Sequence, residues 1–341
     1  MTARKFNEEN ERMKREYRRY LANAMGRDEK SIDKVDAALA EFDAATGYKS
    51  FKAFHRDWCE RFKRHLEKRR NVQTGQPLSL ATRDAMLRNT KGFFHWLASQ
   101  KGYKSRVSYA DVEYFNNKTK DARAAHAERP KIYPSMEQCD HAFRNMPEGS
   151  EVERRDKAIF ALLMLTGARD SALATLRLKH VDLVQDMIFQ DGREVRTKNS
   201  KTIETWFFPV DPMYRAFFGV WVKYLRDRLY GPADALFPKQ DVAPGKEGFV
   251  AQGLARDPYS NAQRVREAIK SAFREEGLRE YGPHSFRTML ALYGDKVCKT
   301  LEERKAWSQN LGHEHLATMV SAYMPVPRER QKELLRALGV A

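Results

Sequence analysis

The 341-residue sequence predicts a mainly α-helical protein with one small antiparallel β-sheet, folded as two domains. Apolar residues recur at three- and four-residue steps through most of the chain, and the period turns strand-like only between Val181 and Val210. Residues 116–130 lose their aromatics and become rich in Lys, Asp, Ala and Arg, so they read as a linker. The chain also exceeds the ~250 residues at which single cores usually stop growing.

Lys and Arg outnumber Asp and Glu by 62 to 46, a net charge of +16, which makes a polyanion, and nucleic acid first, the expected partner. A membrane is disfavoured, because the longest apolar run, Ala158 to Leu165, is far below the ~20 residues a spanning helix needs. The N-terminus, Met1-Thr2-Ala3-Arg4-Lys5, lacks the apolar core of a signal peptide, so a cytoplasmic location is expected. Cys59, Cys139 and Cys298 are odd in number and far apart; they read as reduced packing residues, not as disulfides or zinc ligands.

In chain order, Asn7 to Leu39 reads as helical, with Met13, Tyr17, Tyr20, Leu21 and Met25 on one side; Asp28 or Ser31 starts the Val35, Leu39, Phe42 series, and Gly47 ends it. Phe51 to Lys68 puts Phe51, Phe54, Trp58, Phe62 and Leu66 on one stripe, with Arg56, Arg61, Lys63, Arg64 and Lys68 mostly off it. Ser79 caps a helix through Met86, Leu87, Phe93, Phe94 and Leu97, and Ser108 or Asp111 starts a short one. Taken singly, each basic face is a solvated face; repeated along the helices, they suit a phosphate backbone.

Beyond the linker, Ser135 and Gln138 form a capping-box pattern. A buried helix, Asp156 to Leu165, stops at Thr166-Gly167, and a new one runs through Leu173 and Leu176. Arg169 sits at that junction, where its charge needs either a carboxylate such as Asp170 or a ligand phosphate. Val181 to Leu183, Met187 to Phe189 and Trp206 to Val210 are strand-like, with turn signals at Asp191-Gly192 and Asn199-Ser200; Lys198 and Lys201 lie at the second turn. Helices are expected at Met213 to Tyr230, Ser260 to Glu276, Ser285 to Lys296, Leu301 to Leu311 and Arg328 to Leu338.

Between His284 and Tyr323 stand His284-Ser285-Phe286-Arg287, Leu311-Gly312-His313 and Tyr323, a group suited to handling phosphate. Structural readings exist for each alone: Arg169 as an ion pair with Asp170 or Asp182, His284 as a helix cap, His313 as a helix terminator favoured by the dipole, Tyr323 as a core aromatic. His313-Glu314-His315 lacks the spacing that puts two imidazoles on one helical face, so no metal site is read there.

Taken together, Thr166-Gly167-Ala168-Arg169, the Thr197-Lys198-Asn199-Ser200-Lys201 hairpin, Pro283-His284-Ser285-Phe286-Arg287, Leu311-Gly312-His313 and Tyr323 resemble, in order and rough spacing, the catalytic domain of the tyrosine recombinases, the phage-integrase family. Thr288 stands where that family often has histidine, and Tyr323 falls ten residues after His313 where nine is common.

The resemblance implies a helical, SAM-like core-binding domain over residues 1–125 and a mixed α+β catalytic domain with a C-terminal tail helix over residues 126–341. It implies a site-specific recombinase or integrase that cuts and rejoins duplex DNA through a 3′-phosphotyrosyl link, as a homotetramer on two DNA sites at the bacterial nucleoid. No cofactor, metal, membrane or small-molecule substrate is implied. Arg169, Lys198, His284, Arg287, His313 and Tyr323 would carry the chemistry: the arginines on nonbridging oxygens, Lys198 (or Lys201) as general acid, His284 in proton transfer, His313 as a hydrogen-bond donor and Tyr323 as nucleophile. The tail, through Leu334, Leu335 and Leu338, would dock on a neighbour or cap its own domain. Two other readings share these residues: a type IB topoisomerase-like enzyme, and a DNA-binding accessory protein without catalysis.

Overall fold

Short polar side chains set most of the helix starts. The structure, a computed structural model, describes residues 6–72, 74–126, 131–245, 248–313, 331–333 and 335–336. The chain divides into two compact units, residues 1–129 and 130–341. In the first, Asn7 accepts from the Asn10 amide and starts α1 (Glu8–Arg19), and Asp28, not Ser31, starts α2 (Glu29–Thr46). His55 precedes α3 (Arg56–Lys68), and Ser79 accepts from Thr82 N to start α4 (Leu80–Leu97). The short α5 (Tyr109–Val112) and α6 (Thr119–His126) follow.

The apolar stripe of Phe51, Phe54, Trp58, Phe62 and Leu66 is buried, as its spacing predicts, while Arg56, Arg61, Arg64 and Lys68 are exposed. Rings dominate this core: Phe54 stacks on Phe94 at 4.3 Å, and Phe42 meets Phe94 edge-on at 5.0 Å. Two expectations need correction. Residues 51–68 are not one helix: Phe51–Ala53 is a single 3-10 turn, and extended backbone at Phe54 and His55 separates it from α3. The stretch read as linker contains α6, because the Asn117 amide donates to Asp84 at 2.8 Å and ties the chain to α4 just before that helix.

The second unit begins with α7 (Met136–Asn145), whose N-terminus has the reciprocal Ser135–Gln138 pair. α8 (Glu151–Thr166) is buried at every residue from Arg155 to Thr166 and is the centre of the core. Its two buried cations are partnered: Arg155 by Asp156 and the Pro238 carbonyl, Lys157 by Glu148 and the Met146 carbonyl. After α9 (Asp170–Leu173), strands β1 (Val181–Asp182), β2 (Met187–Gln190) and β3 (Ile203–Trp206) form an antiparallel sheet in that order. Then come α10 (Pro212–Asp227), a hairpin of β4 (Gln240–Gly245) and β5 (Gly248–Leu254), α11 (Gln263–Glu275), α12 (Pro283–Val297) and α13 (Leu301–Asn310). Tyr214, Phe273 and Phe286 pack around Phe160 of α8.

The third strand lies earlier than its apolar run suggests. Ile203–Trp206 pairs with β2, whereas past Trp206 the amides of Phe207 and Phe208 donate to Asp186 and Leu165 outside the ladder, and Pro209 has no amide to give. Both turn signals therefore fall within one connection, residues 191–202. The β4–β5 hairpin was not expected from the sequence, since Pro244, Gly245 and Gly248 interrupt its alternation. All three cysteines are buried and free, as predicted. Of the tail, residues 331–333 and 335–336 are helical and Leu335 is exposed; Leu334 and Leu338 lie outside the described residues. Among the described residues no helix is long and apolar enough to cross a membrane.

Candidate active site

The Thr166-Gly167-Ala168-Arg169 run ends one helix and starts another within four residues. Thr166 Oγ1 donates to the Leu162 carbonyl at 2.6 Å and accepts from the Ala168 amide at 3.2 Å. Gly167 takes the left-handed conformation, φ 58°, that closes α8. Arg169, in extended conformation, is the residue before α9.

Gly167 is also where three sequence-distant motifs meet. Its carbonyl accepts from Arg287 Nη1 at 2.5 Å, and Arg287 Nη2 donates to the Leu311 carbonyl at 2.5 Å. A Cβ on Gly167 would lie 2.9 Å from Leu311 Cδ2 and 3.1 Å from Leu290 Cδ1, so the backbone approach is as close as the side chains allow. Arg287, 4% exposed, thus pins the α8–α9 junction, α12 and the end of α13 to one another. Gly167→Ala combines left-handed strain with overpacking and is expected to cost about 2 kcal/mol or more of stability, read as a lower urea midpoint.

Leu311-Gly312-His313 forms a Schellman closure of α13: Gly312 N donates to Gln309 O at 2.7 Å and His313 N to Ser308 O at 3.1 Å, with Gly312 at φ 72°. The closure aims His313 back at its own helix, where Nδ1 lies 3.2 Å from the Ser308 hydroxyl. Asn310 adds a two-way bond to β3, Nδ2 to Trp206 O and Oδ1 from Trp206 N, both at 2.8 Å. His284 is the second residue of α12, whose start is capped by Gly282 with no side-chain bond, so the helix-cap reading of His284 does not hold.

Four of the six expected residues therefore lie in one electrostatic neighbourhood. Burial lowers the pKa of His313 from 6.5 to about 4, helped by the charges of Arg287, Arg169 and Lys131. His284 is lowered too, by loss of solvent and then by Arg287, Lys131 and Arg169, with Asp170 opposing. Both imidazoles are neutral at pH 7, so His313 does not act on the helix dipole as a cation. For His313, the unfolded chain binds a proton below pH 6.5 that the folded chain refuses until about pH 4. Its contribution to stability is full above pH 6.5 and is lost as the pH falls toward 4. His313→Gln is expected to flatten the fall in urea midpoint between pH 7 and pH 4.5; an unchanged profile would contradict this.

The ion-pair reading of Arg169 does not hold either. Asp170 accepts from Arg266 Nε at 2.5 Å and from Ser171, Asp182 accepts from the amides of Val184 and Gln185, and the Arg169 guanidinium has no hydrogen bond or ion pair among the described residues. Lys198 is exposed on the 191–202 connection, where Asn199 and Ser200 take positive φ and Thr197 Oγ1 donates to Lys201 O at 2.6 Å; its ammonium has no bond among the described residues. Tyr323 lies outside the described residues. Two neighbours escaped sequence reasoning. Lys131, just past the charged 116–130 stretch, acts on both histidines, and Ser308, 1% exposed, orients His313. Neither has a local pattern; a small polar residue on the buried side of α13 was the one available signal for Ser308.

The sequence model of the phage integrase family matches residues 136–329. Tyrosine recombinase XerC of Lactobacillus leichmannii is 24% identical over 248 residues, covering 72% of this chain and 73% of that protein. XerC of Lactobacillus delbrueckii subsp. bulgaricus is 23% identical over the same shares. Among solved structures, the Tn1549 transposon integrase in complex with transposon right end DNA has a TM-score of 0.64 at 14% identity, covering 96% of this chain and 99% of that one. A lambda integrase dimer bound to a COC′ core site has a TM-score of 0.61 at 11% identity, covering 92% and 95%. XerH bound to a difH substrate has 0.58 at 17%, covering 89% and 78%.

Proposed function

The chain belongs to the phage integrase family of site-specific DNA recombinases, and on that premise we propose that it cuts and rejoins duplex DNA through a 3′-phosphotyrosyl intermediate on Tyr323, without ATP or metal. The observation that carries the reading is Arg287: two main-chain carbonyls, of Gly167 and Leu311, hold its guanidinium beside Arg169 and two neutral imidazoles. A cation fixed before the substrate arrives stabilises charge on a transferring phosphate without reorganising.

In the reaction, the Tyr323 hydroxyl attacks phosphorus and passes its proton to His284, whose lowered pKa keeps it neutral and able to accept. The P–O5′ bond breaks, and Lys198 gives its proton to the departing 5′-oxygen. Arg169 and Arg287 neutralise the equatorial oxygens. His313 donates a hydrogen bond from Nε2 to the phosphate, which takes the tautomer whose Nδ1 accepts from the Ser308 hydroxyl 3.2 Å away. The ester energy stays in the phosphotyrosine, so a 5′-hydroxyl of another strand reverses the steps. Residues 1–125 serve as a second, helical DNA-binding domain through the exposed arginines of α3, and four chains act on two sites.

The test is a pool of nicked duplexes with randomised centres, in which cleavage releases a short fragment and traps the intermediate. A protein–DNA band that survives denaturing electrophoresis is expected. Its absence across the pool would favour the accessory-protein reading, and relaxation of plasmids of any sequence would favour the topoisomerase-like one.

A further inference from the structure

A cationic cavity of about 350 Å³ lies at the base of the connection that carries Lys198, lined by Thr175, Arg177, Glu194, Arg196, Lys239 and Ser260 among others. The cations come from three separate stretches, and their backbones are fixed. The Arg196 amide donates to Thr175 Oγ1 at 2.9 Å, Arg177 pairs in a bridge with Ala235, and Lys239 exchanges main-chain bonds with Asp257 and Ala255 at 3.2 and 2.9 Å.

The side chains keep donors to spare. Arg177 gives one nitrogen to the Ala233 carbonyl and Arg196 one to the Ser260 carbonyl, out of five N–H donors on each guanidinium. Lys239 makes one exposed ion pair, 3.3 Å to Asp257, a contact worth little in water. The one carboxylate in the wall, Glu194, is already held by Lys179 at 2.7 Å and His180 at 3.2 Å. Three cations converge on a concave, solvent-open space that the strand-transfer chemistry does not use.

We propose that this cavity binds a non-reacting phosphate of the DNA backbone and so anchors the Lys198 connection on the duplex. The inference rests on the recombinase reading for its partner but not for its chemistry. Arg196 stands two residues before Lys198, and Thr175, which holds the Arg196 amide, stands six after Arg169. A phosphate gripped by Arg177, Arg196 and Lys239 therefore restrains the connection at its root, on the chain segment that also carries Arg169.

The experiment measures binding to a fluorescent duplex as a function of salt, in the cleavage-incompetent Tyr323→Phe background, so that it reads the same whether or not the covalent chemistry is right. Lys239→Gln and Arg177→Gln are each expected to lower the slope of log K against log salt, by at most about 0.9, the contribution of one whole phosphate contact. Lys223→Gln, which removes an exposed cation paired with Asp227 on α10, is the control and is expected to leave the slope unchanged. An unchanged slope with Lys239→Gln, whose side chain is exposed and whose loss leaves the fold intact, would overturn the proposal. An equal fall with Lys223→Gln would overturn it by showing a net-charge effect. A rise in melting temperature with inorganic phosphate that Lys239→Gln removes, without any change in DNA slope, would assign the cavity to a small anion instead.

Discussion

Tyr323→Phe is expected to reduce the covalent protein–DNA complex by at least about 10³-fold, to below detection, while leaving DNA affinity within a few-fold of wild type. The phenyl ring keeps the size of the side chain and removes the one atom proposed to attack phosphorus. A phosphotyrosine cannot form without that oxygen, and water cannot replace it in a reaction that must retain the ester bond. A denaturation-resistant band in the variant would move the nucleophile elsewhere; Tyr293, whose hydroxyl lies 3.4 Å from the Pro209 carbonyl, would be the next residue to change.

Arg287→Ala is expected to lower cleavage by about 10³-fold, in line with the loss of one charge-stabilising group at a transferring phosphate. It should also destabilise the second unit by about 3 kcal/mol, because the buried carbonyls of Gly167 and Leu311 lose charged donors. Arg287→Lys separates the two effects. It keeps the charge, but one ammonium cannot span both carbonyls and still present a planar face to a phosphate. Cleavage is expected to fall about 10²-fold with a smaller loss of stability. Equal activity in the lysine variant would show that charge alone matters and that the carbonyl clamp has no part in the rate.

The pieces of the site legible in the sequence are those whose geometry is local. Thr166-Gly167 ends a helix with its own hydroxyl and a left-handed glycine, and Leu311-Gly312-His313 closes α13 within five residues. Both signals survive folding because no distant partner is needed to produce them. Arg287 is different. Its spacing from His284 marks it as a candidate, but only tertiary structure brings Gly167, 120 positions away, to its guanidinium. Lys131 acts through proximity alone and leaves no pattern.

The same distinction explains the errors in the fold. The buried stripe of α3 was readable from its period, whereas its start at Arg56 depends on extended backbone at Phe54 and His55. α6 was hidden by a composition suited to solvent until the Asn117–Asp84 bond is known. For β3, the aromatic run Trp206-Phe207-Phe208 outweighed the less apolar Ile203-Glu204-Thr205 that pairs with β2. Phe207 and Phe208 follow the strand end, and Phe208 is buried for a different reason, stacking on Trp307 at 4.5 Å.

In the proposed reaction one tyrosine, Tyr323, is delivered to a phosphate held by Arg169 and Arg287. The most direct measurement is to trap the covalent complex on the nicked pool, digest protein and DNA, and identify the nucleotide-bearing peptide by mass spectrometry. A single adducted peptide containing Tyr323, linked to a 3′-phosphate, is expected, with the released strand bearing a free 5′-hydroxyl. An adduct on any other residue, or a link to a 5′-phosphate, would contradict it.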